Sequence, residues 1–104
     1  MAAFITVARV NQVPPGQQLQ VKVGKLLISL WNLDGTLYAI NDICSHEEEY
    51  LSEGEVVNHC CVECPKHGAQ FDLRTGAALT LPATEPVATY PVRIEGDDIQ
   101  IAVG

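Results

Sequence analysis

Apolar and polar residues alternate with period two along much of this chain. Leu19, Val21 and Val23 share one face while Gln18, Gln20 and Lys22 occupy the other, the pattern of a strand with one covered side. Over residues 25–33 the apolar side chains fall on both faces, which predicts a strand covered on both sides. Asp34-Gly35 comes next, followed by Thr36-Leu37-Tyr38-Ala39-Ile40; two strand-like runs around an Asp-Gly pair predict a tight hairpin. Near the end Val92 and Ile94 alternate with Arg93 and Glu95, Gly96-Asp97-Asp98 turns the chain, and Ile99, Ile101 and Val103 form a last strand. Further turn chemistry lies at Pro14-Pro15-Gly16, Gly24, Arg74-Thr75-Gly76 and residues 82–86. No segment carries a 3.6-residue repeat with caps. The expected class is therefore all-β, with short antiparallel strands in a sandwich or barrel.

The middle of the chain breaks this rhythm. From Asn41 to about Pro82 strand patterning is interrupted and the residues that bind metals appear. The reading is a single domain over residues 1–104, with a small inserted region at about 41–82 and a β base made of residues 1–40 and 83–104. Short strands are expected in the insert at 55–57, 60–63 and 70–73, which leaves the metal-binding residues on loops held by a rigid scaffold.

Composition narrows the function. Thirteen acidic against six basic residues give a formal charge of −7, which excludes the clustered Lys and Arg that phosphate contacts need and argues against a nucleic-acid partner. A basic protein partner fits better. Hydrophobic residues make up 47% of the chain, enough for a packed core. No run approaches the ~18 apolar residues of a membrane span. The opening Met1-Ala2-Ala3-Phe4 has no basic segment before an apolar run, and four cysteines are few for a disulfide scaffold. A reducing cytoplasm and no membrane contact are the expectation.

The chemistry concentrates in two short motifs. Cys44-Ser45-His46 and Cys64-Pro65-Lys66-His67 are separated by seventeen residues. Two thiolates and two imidazoles on separate segments are the ligand set of a [2Fe–2S] cluster in which one iron takes two Cys and the other two His. Cys44, His46, Cys64 and His67 are thus the candidate ligands, with Cys44 and Cys64 on the inner iron and His46 and His67 on the outer one. Cys61-Val62-Glu63-Cys64 also forms a Cys-x-x-Cys, so a zinc-stabilised β binding module using Cys61, Cys64 and His67 is the alternative. Cys60 and Cys61 are otherwise expected as strand residues, one packed and one partly exposed. His59, after Asn58, reads as a solvated turn residue, and Trp31, Tyr38 and Tyr90 as core or sheet-face aromatics. Glu47, Glu48 and Glu49 follow a candidate ligand directly and could steer docking. Catalytic motifs are missing from the sequence: it has no Ser-His-Asp order, no phosphate loop and no dinucleotide fingerprint.

Cys44-Ser45-His46, Cys64-Pro65-Lys66-His67-Gly68, Phe71-Asp72-Leu73-Arg74-Thr75-Gly76 and Tyr90-Pro91-Val92-Arg93-Ile94 together make the chain resemble the Rieske ferredoxins, specifically the ferredoxin components of bacterial aromatic-ring-hydroxylating dioxygenase systems. The likeness covers nearly the whole chain. It implies a Rieske-like antiparallel β-sandwich of three small sheets with an inserted cluster-binding subdomain, and one [2Fe–2S] cluster per chain. It also implies electron relay, as a monomer without catalysis of its own, from an NAD(P)H-dependent flavin reductase to a terminal oxygenase. A small subunit of another oxidoreductase is a further alternative. High-potential members of the family carry an extra Cys in each ligand loop, where this chain has Glu49 or a neighbour and Lys66, and a Ser and a Tyr where it has Ala69 and Phe71. Without those hydroxyl donors, and with three glutamates beside His46, the resemblance implies a potential near the bottom of the roughly −150 to +300 mV Rieske range.

Overall fold

The computed structural model describes residues 3–43, 50–65, 68–80 and 85–103. Among the described residues ten short strands form three antiparallel sheets, so the all-β expectation holds. They are β1 (Phe4–Arg9), β2 (Gln18–Val23), β3 (Leu26–Leu33), β4 (Thr36–Asn41), β5 (Glu55–Val57), β6 (Cys61–Glu63), β7 (Gln70–Asp72), β8 (Thr89–Tyr90), β9 (Val92–Glu95) and β10 (Asp98–Ala102). One sheet runs β1-β10-β9, a second β2-β3-β4-β8, and a third β5-β6-β7.

β3 explains why its sequence is apolar on both faces. Ile28 and Leu30 are fully buried in a core with Ala8, Val13, Ala39, Ile99 and Ile101, which joins the first sheet to the second. Trp31 points the other way, into a core with Ile40, Leu51, Val62, Ala69, Phe71, Leu73 and Val87, which joins the second sheet to the third. Alternate residues thus enter different cores, and a one-residue slip of β3 would exchange them. Its polar residues are satisfied inside: Trp31 Nε1 donates to Ser29 Oγ at 2.8 Å, and Asn32 Nδ2 to the Val13 carbonyl at 2.8 Å. At the β3–β4 turn, Asp34 and Gly35 both take positive φ, 53° and 95°, the type I′ geometry that the Asp-Gly pair predicts.

The β5–β6 turn differs in one respect from expectation. Asn58 and His59 have φ of 54° and 60°, and the Cys60 N–H donates to the Val57 carbonyl at 3.3 Å. Since Val57 pairs with Cys61, Cys60 is an extra turn residue and not the first residue of the strand. Its sulfur is bonded to that of the buried Cys61. His59 is exposed at the turn, as expected. It stands where such turns favour Gly, so His59→Gly is expected to raise stability by about 1 kcal/mol, the cost of a left-handed conformation with a Cβ. That corresponds to a rise of roughly 4 °C in Tm. Thermal unfolding followed by circular dichroism checks this; an unchanged or lower Tm would reject the strain argument.

Candidate metal centre

Both ligand motifs follow strand ends. The first follows β4. Asn41 is hydrogen-bonded through its N–H to the Ala88 carbonyl (2.9 Å), and Ile43 forms an antiparallel bridge with Tyr50 across the motif. Immediately after that bridge, Leu51–Glu53 makes a single 3₁₀ turn with Leu51 fully buried. The second motif follows β6. Cys64 is 1% exposed, and its N–H donates to the Ala69 carbonyl at 2.7 Å.

Two contacts bring these segments to the same end of the molecule. Leu51, just past the first motif, shares a core with Cys64, Ala69 and Phe71. Gly54 lies against the backbone of Glu63, the residue before Cys64. A shallow concavity beside Cys64 is lined by Glu53, Glu55, Glu63 and Pro65, so the described surroundings are acidic. Glu63 accepts from Gln70 Nε2 at 3.1 Å.

The Phe71-Asp72-Leu73-Arg74-Thr75-Gly76 run folds as a locked turn below this end. The Asp72 carboxylate accepts from the Arg74 backbone N–H at 2.8 Å and from its guanidinium at 3.0 and 3.1 Å, and the Arg74 guanidinium holds the Asp72 carboxyl below its usual range. The Gly76 N–H closes the turn onto the Asp72 carbonyl at 2.7 Å.

Of the four expected ligands the structure places Cys64; Cys44, His46 and His67 lie outside the described residues, as do Glu47, Glu48, Glu49, Lys66 and Pro82. What is described fits a Rieske-type cluster. One thiol is sequestered at a strand end, where a thiolate is shielded from water, and the flanks of the other motif are packed against the same core. Ala69 and Phe71 are fully buried and bring no hydroxyl to that core. The three-ligand zinc alternative loses a donor, because the Cys61 sulfur is bonded to Cys60. Neither the disulfide nor the close fit of Gly54 has a signal in the sequence; Cys-Cys adjacency alone does not separate a bonded pair from two thiols.

Comparison with known proteins agrees with this geometry. A family model for the Rieske [2Fe-2S] domain matches residues 3–91. The 3-phenylpropionate/cinnamic acid dioxygenase ferredoxin subunit of Escherichia coli (strain K12) is 50% identical over 92 residues, 88% of this chain and 86% of the relative. Among solved structures, the ferredoxin of carbazole 1,9a-dioxygenase from Nocardioides aromaticivorans IC177 matches with a TM-score of 0.90 and 35% identity, over 96% of this chain and 97% of that one. A complex of reduced oxygenase and oxidised ferredoxin in carbazole 1,9a-dioxygenase contains a chain matching with a TM-score of 0.87 and 28% identity, over 95% of this chain and 92% of that one. With the fold, the buried Cys64 and a match over most of its length in agreement, the chain belongs to the Rieske [2Fe–2S] domain family.

Proposed function

We propose that this chain is a one-electron carrier that accepts electrons from an NAD(P)H-dependent flavin reductase and delivers them to a terminal aromatic-ring-hydroxylating oxygenase, working as a cytoplasmic monomer. The observation that carries the reading is the 50% identity, over most of both chains, to a dioxygenase ferredoxin subunit. The match to a ferredoxin chain in a complex with an oxygenase supports the acceptor. Among the described residues no helix is long and apolar enough to cross a membrane.

Cys44 and Cys64 would hold one iron and His46 and His67 the other, and the bound cluster supplies reversible one-electron chemistry. In this reading residues 41–82 form the cluster-binding region of a single domain, supported by β5, β6 and β7 forming a sheet of their own. The chain's own residues bury Cys64, keep water from it, and surround it with carboxylates. Glu53, Glu55 and Glu63 oppose added negative charge and offer a basic partner a complementary rim.

Reconstitution tests the proposal. With a flavin reductase and the 3-phenylpropionate dioxygenase oxygenase, the purified chain should couple NAD(P)H oxidation to substrate hydroxylation. Substitution of an all-Cys ferredoxin should not. A chain that is reduced yet supports no hydroxylation by this oxygenase or a carbazole oxygenase would overturn the acceptor assignment.

The low potential has its own test. Ala69→Ser with Phe71→Tyr adds two hydroxyls to a fully buried region beside Cys64. A hydrogen bond to a charged acceptor contributes about 1.5–3 kcal/mol, and 59 mV corresponds to about 1.4 kcal/mol for one electron. Counting both bonds in full, the double variant is therefore expected to raise the midpoint by on the order of 130–250 mV in protein-film voltammetry. An unchanged or lower midpoint in a folded variant would remove hydroxyl donation from the explanation.

A further inference from the structure

Asp42 is fully buried, lies two residues before the first ligand motif, and has no part in the chemistry assigned above. Its surroundings show what it does. The carboxylate accepts three hydrogen bonds: from the Ser52 backbone N–H at 2.7 Å, from Ser52 Oγ at 2.8 Å, and from Gln20 Nε2. Its backbone adds two more. The Asp42 N–H donates to the Leu27 carbonyl at 2.8 Å, and the Asp42 carbonyl accepts from the Leu51 N–H at 2.7 Å. Gln18 Nε2 completes the arrangement by donating to the Ser52 carbonyl at 3.0 Å.

These bonds tie together three pieces of chain: β2 through Gln18 and Gln20, β3 through Leu27, and the 3₁₀ turn through Leu51 and Ser52. Asp42 precedes residues 44–49 and Ser52 follows them, and the Ile43–Tyr50 bridge lies between. A buried carboxylate surrounded by three donors is satisfied in place; an apolar replacement leaves all three donors without it. The polar face of β2, which the sequence suggests is merely the outer side of a strand, serves as the anchor.

We propose that Asp42 is a positioning residue for the electron-transfer site: with Gln18, Gln20 and Ser52 it forms a polar latch that sets the separation and direction of the two chain segments entering and leaving residues 44–49, and so fixes where the first Cys-His pair is presented. The proposal rests on Cys44 and His46 being ligands. Groups that orient metal ligands from outside typically change metal affinity by about 10–100-fold when removed.

The test compares iron release to a chelator, and the reduced-state EPR spectrum, across the holoprotein and four variants. Asp42→Ala is expected to release iron at least about tenfold faster and to alter or broaden the g-values. Asp42→Asn, which keeps an acceptor for the Ser52 N–H, is expected to fall between it and the parent. Ile99→Val loosens the core remote from the motif and should leave both readouts as in the parent. Should Asp42→Ala fail to fold, Gln20→Ala, at an exposed position, decides: about threefold or faster release supports the latch, and parental release and spectrum overturn it. If Asp42→Ala folds and behaves like Ile99→Val, the latch is likewise overturned. A parent protein that binds no iron–sulfur cluster refutes the ligand reading itself, a result distinct from either of these.

Discussion

Cys64→Ser is expected to yield a folded, colourless chain with iron content reduced at least about tenfold. The reason is the acidity of the donor. A thiol ionises readily enough to serve as an anionic ligand at neutral pH, whereas a serine hydroxyl does not, and iron–sulfur clusters favour soft sulfur donors. Size is nearly conserved, so the site at the end of β6 should persist: the Cys64 N–H bond to the Ala69 carbonyl belongs to the backbone and survives the change. Burying an extra hydroxyl costs about 1–3 kcal/mol if it finds no partner, and loss of the bound cluster removes folding free energy as well. The Tm should therefore fall along with the colour. Cys61→Ser provides the contrast. It breaks the bond to Cys60 but removes no proposed ligand, so visible absorption that bleaches with dithionite should remain. Iron analysis and absorption spectra of the two variants decide the matter. A Cys64→Ser protein with full iron content would exclude Cys64 as a ligand, and a Cys61→Ser protein that loses the cluster would reopen the ligand assignment.

Gly54→Ala should be nearly as damaging, for a steric reason. Gly54 has φ −85° and ψ −172°, a backbone that alanine adopts without strain. Space is what is missing. A Cβ there would sit 2.0 Å from the Glu63 carbonyl oxygen and 3.1 Å from its carbonyl carbon. Both are backbone atoms of β6, so no side-chain rotation can relieve the contact. Glu55 pairs with Glu63, so β5 must move off β6 beside the residue that precedes Cys64. Overpacking of this kind costs about 1–3 kcal/mol. At roughly 4–8 °C per kcal/mol the Tm should fall by about 10 °C, and the displacement of Glu63 should be felt at Cys64 as faster iron loss. Gly24→Ala is the control. No atom lies within 4 Å of its added Cβ, so the substitution adds no clash. It should lower Tm by the left-handed penalty of about 1–2 kcal/mol without accelerating iron loss. A Gly54→Ala protein with the parent's Tm and iron retention would show that β5 and β6 separate at little cost.

Much of the base was legible because its signals are local. The Asp34-Gly35 pair encodes its own turn, since both residues tolerate the φ it requires. The two-faced apolar pattern of β3 reports two covering layers, because side chains alternate by geometry wherever a strand lies. In the insert, short strands were expected at 55–57, 60–63 and 70–73; β5 begins and ends as expected, while β6 starts one residue late because the Asn58-His59 turn takes Cys60 as an extra residue. That shift depends on which residue of β6 meets Val57, a pairing no local pattern specifies.

What the sequence determined by itself was chemical identity: two Cys-His motifs, the donor set of a mixed-ligand iron–sulfur cluster, and an acidic all-β chain in which strand period and turn residues agree. Those properties belong to residue types and short spacings. Tertiary structure alone decided how the motif ends are held. Asp42 belongs to no sequence motif, and Gln18 and Gln20 read as the wet side of a strand; only the folding of the 3₁₀ turn back onto β2 makes them one hydrogen-bonded group. Gly54 gains its importance from Glu63 in the same way. Burial and close approach are properties of pairs of segments distant along the chain, so they come into being only when the sheets have packed.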